Sequence, residues 1–137
     1  MIYVYKIARC EMGIKEVIGD NDNPRILEYL KTCESSLDMH DEVPWCSAFV
    51  NWVIERYGYV GTQSLSARSW LGWGTSVTEP VKGAVCILKR GSEPWMGHVG
   101  FVAEWDADRV FILGGNQSNE VRISEYSKDR VLGYRLL

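Results

Sequence analysis

The spacing of apolar residues separates a helical first half of the chain from a stranded second half. From Phe49 to Tyr57 apolar side chains recur at helical intervals, which predicts a helix that starts at Pro44 and stops at Gly58. Proline suits a first helical position and glycine suits the position just after a helix. Asn23 and the proline after it predict another helix start. Shorter helices are predicted over residues 7–12 and 64–74.

After Pro80 the pattern changes to short apolar runs bounded by turn residues, which is typical of strands. The predicted strands cover residues 84–89, 97–105, 109–114, 120–124 and 131–136. Helices followed by consecutive short strands indicate an α+β fold, with N-terminal helices packed on a C-terminal antiparallel β-sheet. At 137 residues the chain is expected to form a single domain, residues 1–137.

Cys46 falls in the first turn of the predicted helix that follows Pro44. Unpaired backbone N–H groups and the positive end of the helix dipole stabilise a thiolate there, and a thiolate is a nucleophile at neutral pH. Most free cysteines are buried packing residues, so position alone does not assign catalysis. A base and an orienting group must also be found.

His98 lies in a predicted strand between Gly97 and Gly100, which leave space around its imidazole. If residues 106–108 form a three-residue turn, antiparallel pairing places His98 opposite Asn116. A slip of one residue would bring Gln117 or Gly115 there instead, which makes Gln117 the alternative partner. An amide oxygen that accepts the imidazole N–H would fix the tautomer, which completes a nucleophile, base and orienter triad.

Charge and hydropathy exclude several classes of partner. The net charge of -3 is spread over interspersed acidic and basic residues, without the basic face that nucleic acid binding requires. No apolar stretch is long enough to span a bilayer, and the first residues do not resemble a signal peptide. We therefore expect a cytoplasmic product without a signal peptide, monomeric and without stable membrane association.

The potential metal ligands have no recognisable spacing. The four cysteines, Cys10, Cys33, Cys46 and Cys86, lack metal-type spacing and are expected to be reduced. A calcium site built from Asp38, Asp41 and Glu42 is the alternative, but these three acids do not have a clear ligand spacing. His40 beside them is interpreted as a solvated loop histidine. We expect no metal and no cofactor.

Six tryptophans are many for a chain of this length. Indole rings that remain exposed beside a groove would stack on a glycan or peptide, whereas burial in the core is the commoner outcome. The candidate substrate-binding residues are Trp45, Trp70, Trp73, Trp95 and Gln117.

Three runs carry a family resemblance: residues 44–50 (PWCSAFV), 97–100 (GHVG) and 114–117 (GGNQ). Together with residues 66–70 and 132–135, they resemble a small phage-associated branch of the CHAP group (cysteine, histidine-dependent amidohydrolase/peptidase) of papain-like hydrolases. The resemblance implies cleavage of amide bonds in bacterial peptidoglycan. Cys46 would be the nucleophile, His98 the general base and then acid, and Asn116 the orienter. Many relatives carry an acid near the third position, where this chain has Gly114 and Gly115.

The resemblance implies a peptidoglycan hydrolase that resembles phage endolysins, made in the cytoplasm of the bacterial host and acting on the cell wall after release. An interbacterial toxin of the same chemistry is the first alternative. A catalytically inactive module that binds the wall through an aromatic groove is the second.

Overall fold

Helices at the N-terminal side and an antiparallel sheet at the C-terminal side build the fold, as the sequence predicted. The computed structural model describes residues 1–17, 23–33 and 44–137. The helices in this part of the chain are α1 (Ile2–Arg9), α2 (Pro24–Lys31), α3 (Cys46–Arg56) and two short 3-10 helices, Ala67–Gly72 and Lys128–Arg130. The strands are β1 (Thr75–Val77), β2 (Val85–Lys89), β3 (Gly97–Trp105), β4 (Arg109–Gln117), β5 (Glu120–Ser127) and β6 (Val131–Leu136).

The start of α2 and the end of α3 follow the predicted signals. Asn23 caps α2, because its side-chain oxygen accepts the Arg25 backbone N–H at 2.9 Å. Gly58 follows α3 with a φ of 97°, a conformation that glycine adopts without steric cost. The first helix is different from the prediction. Helix α1 begins at Ile2, because Val4, Tyr5 and Ala8 form a buried face that starts before residue 7.

The start of α3 is also two residues later than predicted. Trp45 has a φ of -123° and a ψ of 16°, so the first helical residue is Cys46 and Pro44 lies before the helix. The non-helical backbone of Trp45 accompanies complete burial of its indole. The indole Nε1–H donates to the Glu16 carboxylate at 2.7 Å, which holds the segment in front of the helix. Cys46 therefore occupies the first position of α3.

The strands of the described chain are arranged in the order β1-β6-β2-β3-β4-β5, and each pairs antiparallel with its neighbours. Strand β1 at the edge was missed by the sequence analysis because it is short and mostly exposed. Helix α3 packs against β3 and β4 and forms the larger core with them. The other side of the sheet has a smaller apolar cluster, made of Ala84, Cys86, Leu88, Val102, Val110, Ile112 and Tyr134.

The turn between β3 and β4 is not the predicted three-residue turn. Trp105 faces Val110, and the backbone N–H of Asp106 donates to the Arg109 carbonyl. The Asp106 carboxylate accepts the backbone N–H groups of Asp108 and Arg109 and so stabilises a tighter turn. An irregularity between residues 102 and 104 then shifts the register by one residue, so that residue 101 pairs with residue 113.

Candidate active site

Cys46 and His98 meet where the first residue of α3 reaches the beginning of β3. Both side chains are almost fully buried, with 5% and 6% exposure. Burial alone would raise the pKa of the Cys46 thiol, but the charge and hydrogen bond of His98 outweigh burial and lower that pKa. Backbone N–H groups of Val99 and Ser47 lower it further. The cysteine is therefore held in a setting that favours the thiolate.

The histidine shows the complementary shift. Burial alone would lower the pKa of His98, whereas the charge of the Cys46 thiolate, its hydrogen bond and a hydrogen bond to Gln117 raise it. The positive charge of Arg90 acts in the opposite direction and lowers this pKa. The two shifts together favour a thiolate and imidazolium pair.

The amide that contacts the imidazole belongs to Gln117. His98 Nε2 lies 2.9 Å from Gln117 Oε1. The Gln117 amide nitrogen donates to the backbone carbonyls of Ile112 and Arg122, which leaves its oxygen to face the ring. Nε2 must therefore carry the proton, and Nδ1 is the ring nitrogen left for the Cys46 thiol.

The expected pairing of His98 with Asn116 is therefore corrected in favour of Gln117, which was the alternative. The described β3–β4 register ends at Phe101 and Leu113. Beyond that point β4 is irregular between Gly114 and Gln117, and Asn116 adopts a left-handed φ of 57°. This extra kink turns Gln117 towards the imidazole. Asn116 is half-buried and lines the cavity beside His98.

Close packing surrounds the two glycines that stand where many relatives carry an acid, and it is strictest at Gly115. A Cβ at Gly115 would lie 2.5 Å from the Trp45 ring and 2.8 Å from the Phe49 Cβ. A Cβ at Gly114 would approach both His98 Nε2 and Gln117 Oε1, at 3.3 and 3.2 Å. Side chains here would push β4 away from α3 or disturb the hydrogen bond of the histidine.

Two of the four candidate tryptophans have no ring face available to a substrate. Trp45 and Trp70 are completely buried, because the start of α3 and the 3-10 helix before β1 pack their indoles into the larger core. Trp70 Nε1–H donates to the Ser47 hydroxyl at 2.9 Å. Trp73 is half-buried and donates to the Val60 carbonyl, whereas Trp95 is 71% exposed.

An open cavity of about 290 Å³ adjoins the histidine. Its lining is polar and basic: Arg90, His98, Asn116, Gln117, Ser118, Asn119, Tyr126 and Arg130. The sequence analysis did not find the two arginines or Tyr126, because the turns that bring β5 and the end of β2 together are not encoded in any local motif. The Tyr126 hydroxyl donates to Gln117 Oε1 at 2.9 Å.

Within residues 1–17, 23–33 and 44–137, no three histidine, cysteine or carboxylate side chains group as metal ligands would. The proposed calcium ligands Asp38, Asp41 and Glu42, together with His40, lie outside the described residues. In the same described ranges, no helix has the length and apolar character needed to cross a membrane.

The arrangement of helices and antiparallel sheet defines the papain-like class of α+β folds, here with a cysteine at a helix start facing a histidine on a strand. A crystal structure similar to this chain is that of a lipoprotein-like member of the NLP/P60 family from Staphylococcus aureus. It shares 16% identity and a TM-score of 0.55, over 98% of this chain and 40% of the other. The crystal structure of Ly7917 shares 20% identity over 80% of this chain and 61% of the other, with a TM-score of 0.47.

The family model of the CHAP domain matches residues 38–116, more than half of the chain. The chain therefore belongs to the CHAP family. No curated protein sequence matches it. The chain spans less than two thirds of the length of either solved structure.

Proposed function

We propose that this protein is a cysteine-dependent peptidoglycan hydrolase that cleaves amide bonds of cell-wall peptides in the manner of an endolysin. The observation that carries the proposal is the connected series Cys46, His98 and Gln117, in which the thiol and the imidazole shift each other's pKa towards the charged pair. Membership of the CHAP family supports the amide as the target bond.

In the proposed reaction, the Cys46 thiolate attacks the carbonyl carbon of the scissile amide, and a carbon–sulfur bond forms as the carbonyl oxygen becomes negative. Backbone N–H at the start of α3, including that of Cys46, would stabilise this oxygen. The His98 imidazolium then gives its Nδ1 proton to the leaving amine as the carbon–nitrogen bond breaks. Water, deprotonated by the neutral imidazole, hydrolyses the thioester and restores the ion pair.

Gln117 acts as a positioning residue in this scheme. Its amide is locked by two backbone carbonyls and by the Tyr126 hydroxyl, so its oxygen keeps the Nε2 proton of His98 in place. Nδ1 is thereby presented to the thiol in every turnover. The role expected of Asn116 passes to Gln117.

The proposal is tested by incubating purified peptidoglycan with the protein and identifying the released fragments by mass spectrometry. We expect new amino and carboxyl ends at one type of amide bond with the wild type and with Cys86→Ala, and none with Cys46→Ala. Binding to peptidoglycan without any released fragment would instead favour an inactive wall-binding module. Cleavage by Cys46→Ala would contradict the cysteine mechanism.

A further inference from the structure

The cavity beside His98 contains two guanidinium groups and no carboxylate among its lining residues. Arg90 follows the end of β2, and Arg130 lies at the end of the 3-10 helix before β6. Neither arginine forms an ion pair with a residue in the described part of the chain. The cavity therefore has two positive charges that the described residues leave unneutralised.

Arg130 is held in place without using all of its donors. Its Nε–H donates to the Lys89 carbonyl at 3.2 Å, and its guanidinium lies over the Tyr126 ring at 5.0 Å from the centroid. The two terminal nitrogens have no hydrogen-bond partner among the described residues. This geometry leaves them available to a ligand, and a planar guanidinium matches a carboxylate with two parallel hydrogen bonds.

The occupant of this cavity would lie next to the reacting atoms. His98 lines the cavity and is also the residue whose charge and hydrogen bond lower the pKa of Cys46, so the cavity adjoins the catalytic pair on the histidine side. Tyr126 connects the arginines of the cavity to the partner of His98. Its hydroxyl donates to Gln117, and its ring packs against the Arg130 guanidinium. A volume of about 290 Å³ is sufficient for one amino-acid side chain or terminus.

We propose that this cavity binds a free carboxylate of the substrate peptide, close to the scissile amide, through Arg90 and Arg130. This inference rests on the proposed function, since it assumes that the scissile bond belongs to a peptide. A bound carboxylate would also oppose the effect of Arg90 on His98, so that binding of the correct peptide stabilises the imidazolium.

The anion site itself is tested without any turnover. Wild-type protein is titrated with sodium acetate, and separately with inorganic phosphate, while the Nε–H resonances of Arg90, Arg130 and Arg109 are followed by NMR. Arg109 is the matched control because Asp106 and Glu125 already pair with it at the hairpin between β3 and β4. We expect acetate to shift the first two resonances and to leave the third unchanged. Equal shifts of all three, or a response to phosphate alone, would overturn the proposal.

The substrate assignment is tested with soluble peptidoglycan fragments in native form and with their carboxyl groups converted to carboxamides. Binding to Cys46→Ala is measured by calorimetry, and we expect the amidated fragments to bind at least about tenfold more weakly. This difference should disappear in Cys46→Ala proteins that also carry Arg90→Gln or Arg130→Gln, and should persist with Arg109→Gln. Equal binding of native and amidated fragments would overturn the assignment.

The two proposals fail in different ways. If intact peptidoglycan is not cleaved by the wild type, the proposed function is wrong, and the acetate titration still decides whether the anion site exists. If peptidoglycan is cleaved equally well in native and amidated form, the hydrolase stands and the carboxylate site is wrong.

Discussion

Cys46 and Cys86 are both buried, yet their surroundings favour opposite protonation states. Cys86 lies on β2 inside the smaller apolar cluster, where burial raises the pKa of its thiol to about 12. Cys46 lies at the first position of α3, where His98 and two backbone N–H groups lower the pKa of an equally dehydrated thiol. Burial therefore does not decide whether a cysteine is inert: the hydrogen-bond donors and positive charge around the sulfur do.

The largest expected effect separates these two cysteines. Cys46→Ala should reduce the hydrolysis of peptidoglycan by about 10⁴-fold or more, because no other group replaces the nucleophile. Cys86→Ala should keep its activity and lose only some stability, since it removes one buried sulfur from an apolar cluster. Release of soluble fragments measures the first effect, and the midpoint of thermal unfolding measures the second. If Cys46→Ala were as active as Cys86→Ala, Cys46 would not be the nucleophile.

His98→Ala should have the next largest effect. Without the imidazole, the Cys46 thiol loses the charge and hydrogen bond that oppose its burial, and the leaving amine loses its proton donor. We expect a loss of about 10²- to 10⁴-fold in kcat/KM, typical of a missing general acid or base. Circular dichroism of the variant checks that the sheet is retained. A variant with near wild-type kcat/KM and an intact sheet would exclude this role.

Gln117→Ala should reduce kcat by about 10²-fold, because the imidazole loses the group that fixes its orientation. The pH profile provides the more specific signature. The reactive pair requires a pH above the lowered pKa of Cys46 and below the raised pKa of His98, so activity should have an acid and an alkaline limb. Since the hydrogen bond that His98 donates to Gln117 raises the pKa of His98, its removal should move the alkaline limb to lower pH.

If the alkaline limb does not move in Gln117→Ala, the side chain has only a structural role. Tyr126→Phe is the matched control, because it removes one hydrogen bond to Gln117 Oε1 and leaves the bond to His98. We expect its alkaline limb to shift less than that of Gln117→Ala.

The smallest effect is expected at Asn116. The substitution Asn116→Gly removes the side chain and tolerates the left-handed φ of 57°, whereas alanine would add strain. We expect kcat/KM to fall by less than about tenfold, or 1.4 kcal/mol. A greater loss than that of Gln117→Ala, measured with the same fragments, would restore Asn116 as the orienting residue.

The sequence predicted those parts of the site that depend on local patterns. The cysteine in a first helical turn, and the histidine between glycines on a strand, can both be recognised from their neighbours. The amide that contacts His98 could not, because its identity depends on the irregularity in β4 between Gly114 and Gln117, which no local sequence pattern predicts. The tighter turn at Asp106 and the irregularity between residues 102 and 104 cancel each other, so residue 101 still pairs with residue 113, as a three-residue turn would predict.

The burial of the tryptophans also could not be predicted from local sequence patterns. Trp45 is fixed by a hydrogen bond to Glu16, which lies 29 residues away in the chain. Trp70 is fixed by Ser47, 23 residues away. Neither contact follows from local spacing, so exposed and buried indoles could not be separated by pattern alone. The basic cavity was missed for this reason too, since β2, β5 and the last 3-10 helix contribute to it from distant parts of the sequence.

Alkylation resolved by residue is the most direct measurement of whether His98 activates Cys46. A Cys10→Ser protein, which lacks the exposed thiol, is treated with iodoacetamide over a range of pH, and the modified peptides are quantified by mass spectrometry. We expect Cys46 to react at neutral pH, with a slower reaction in the His98→Ala protein, while Cys86 stays unmodified until the protein unfolds. Modification of Cys46 that is as slow as that of Cys86, or that does not depend on His98, would contradict an activated nucleophile at the start of α3.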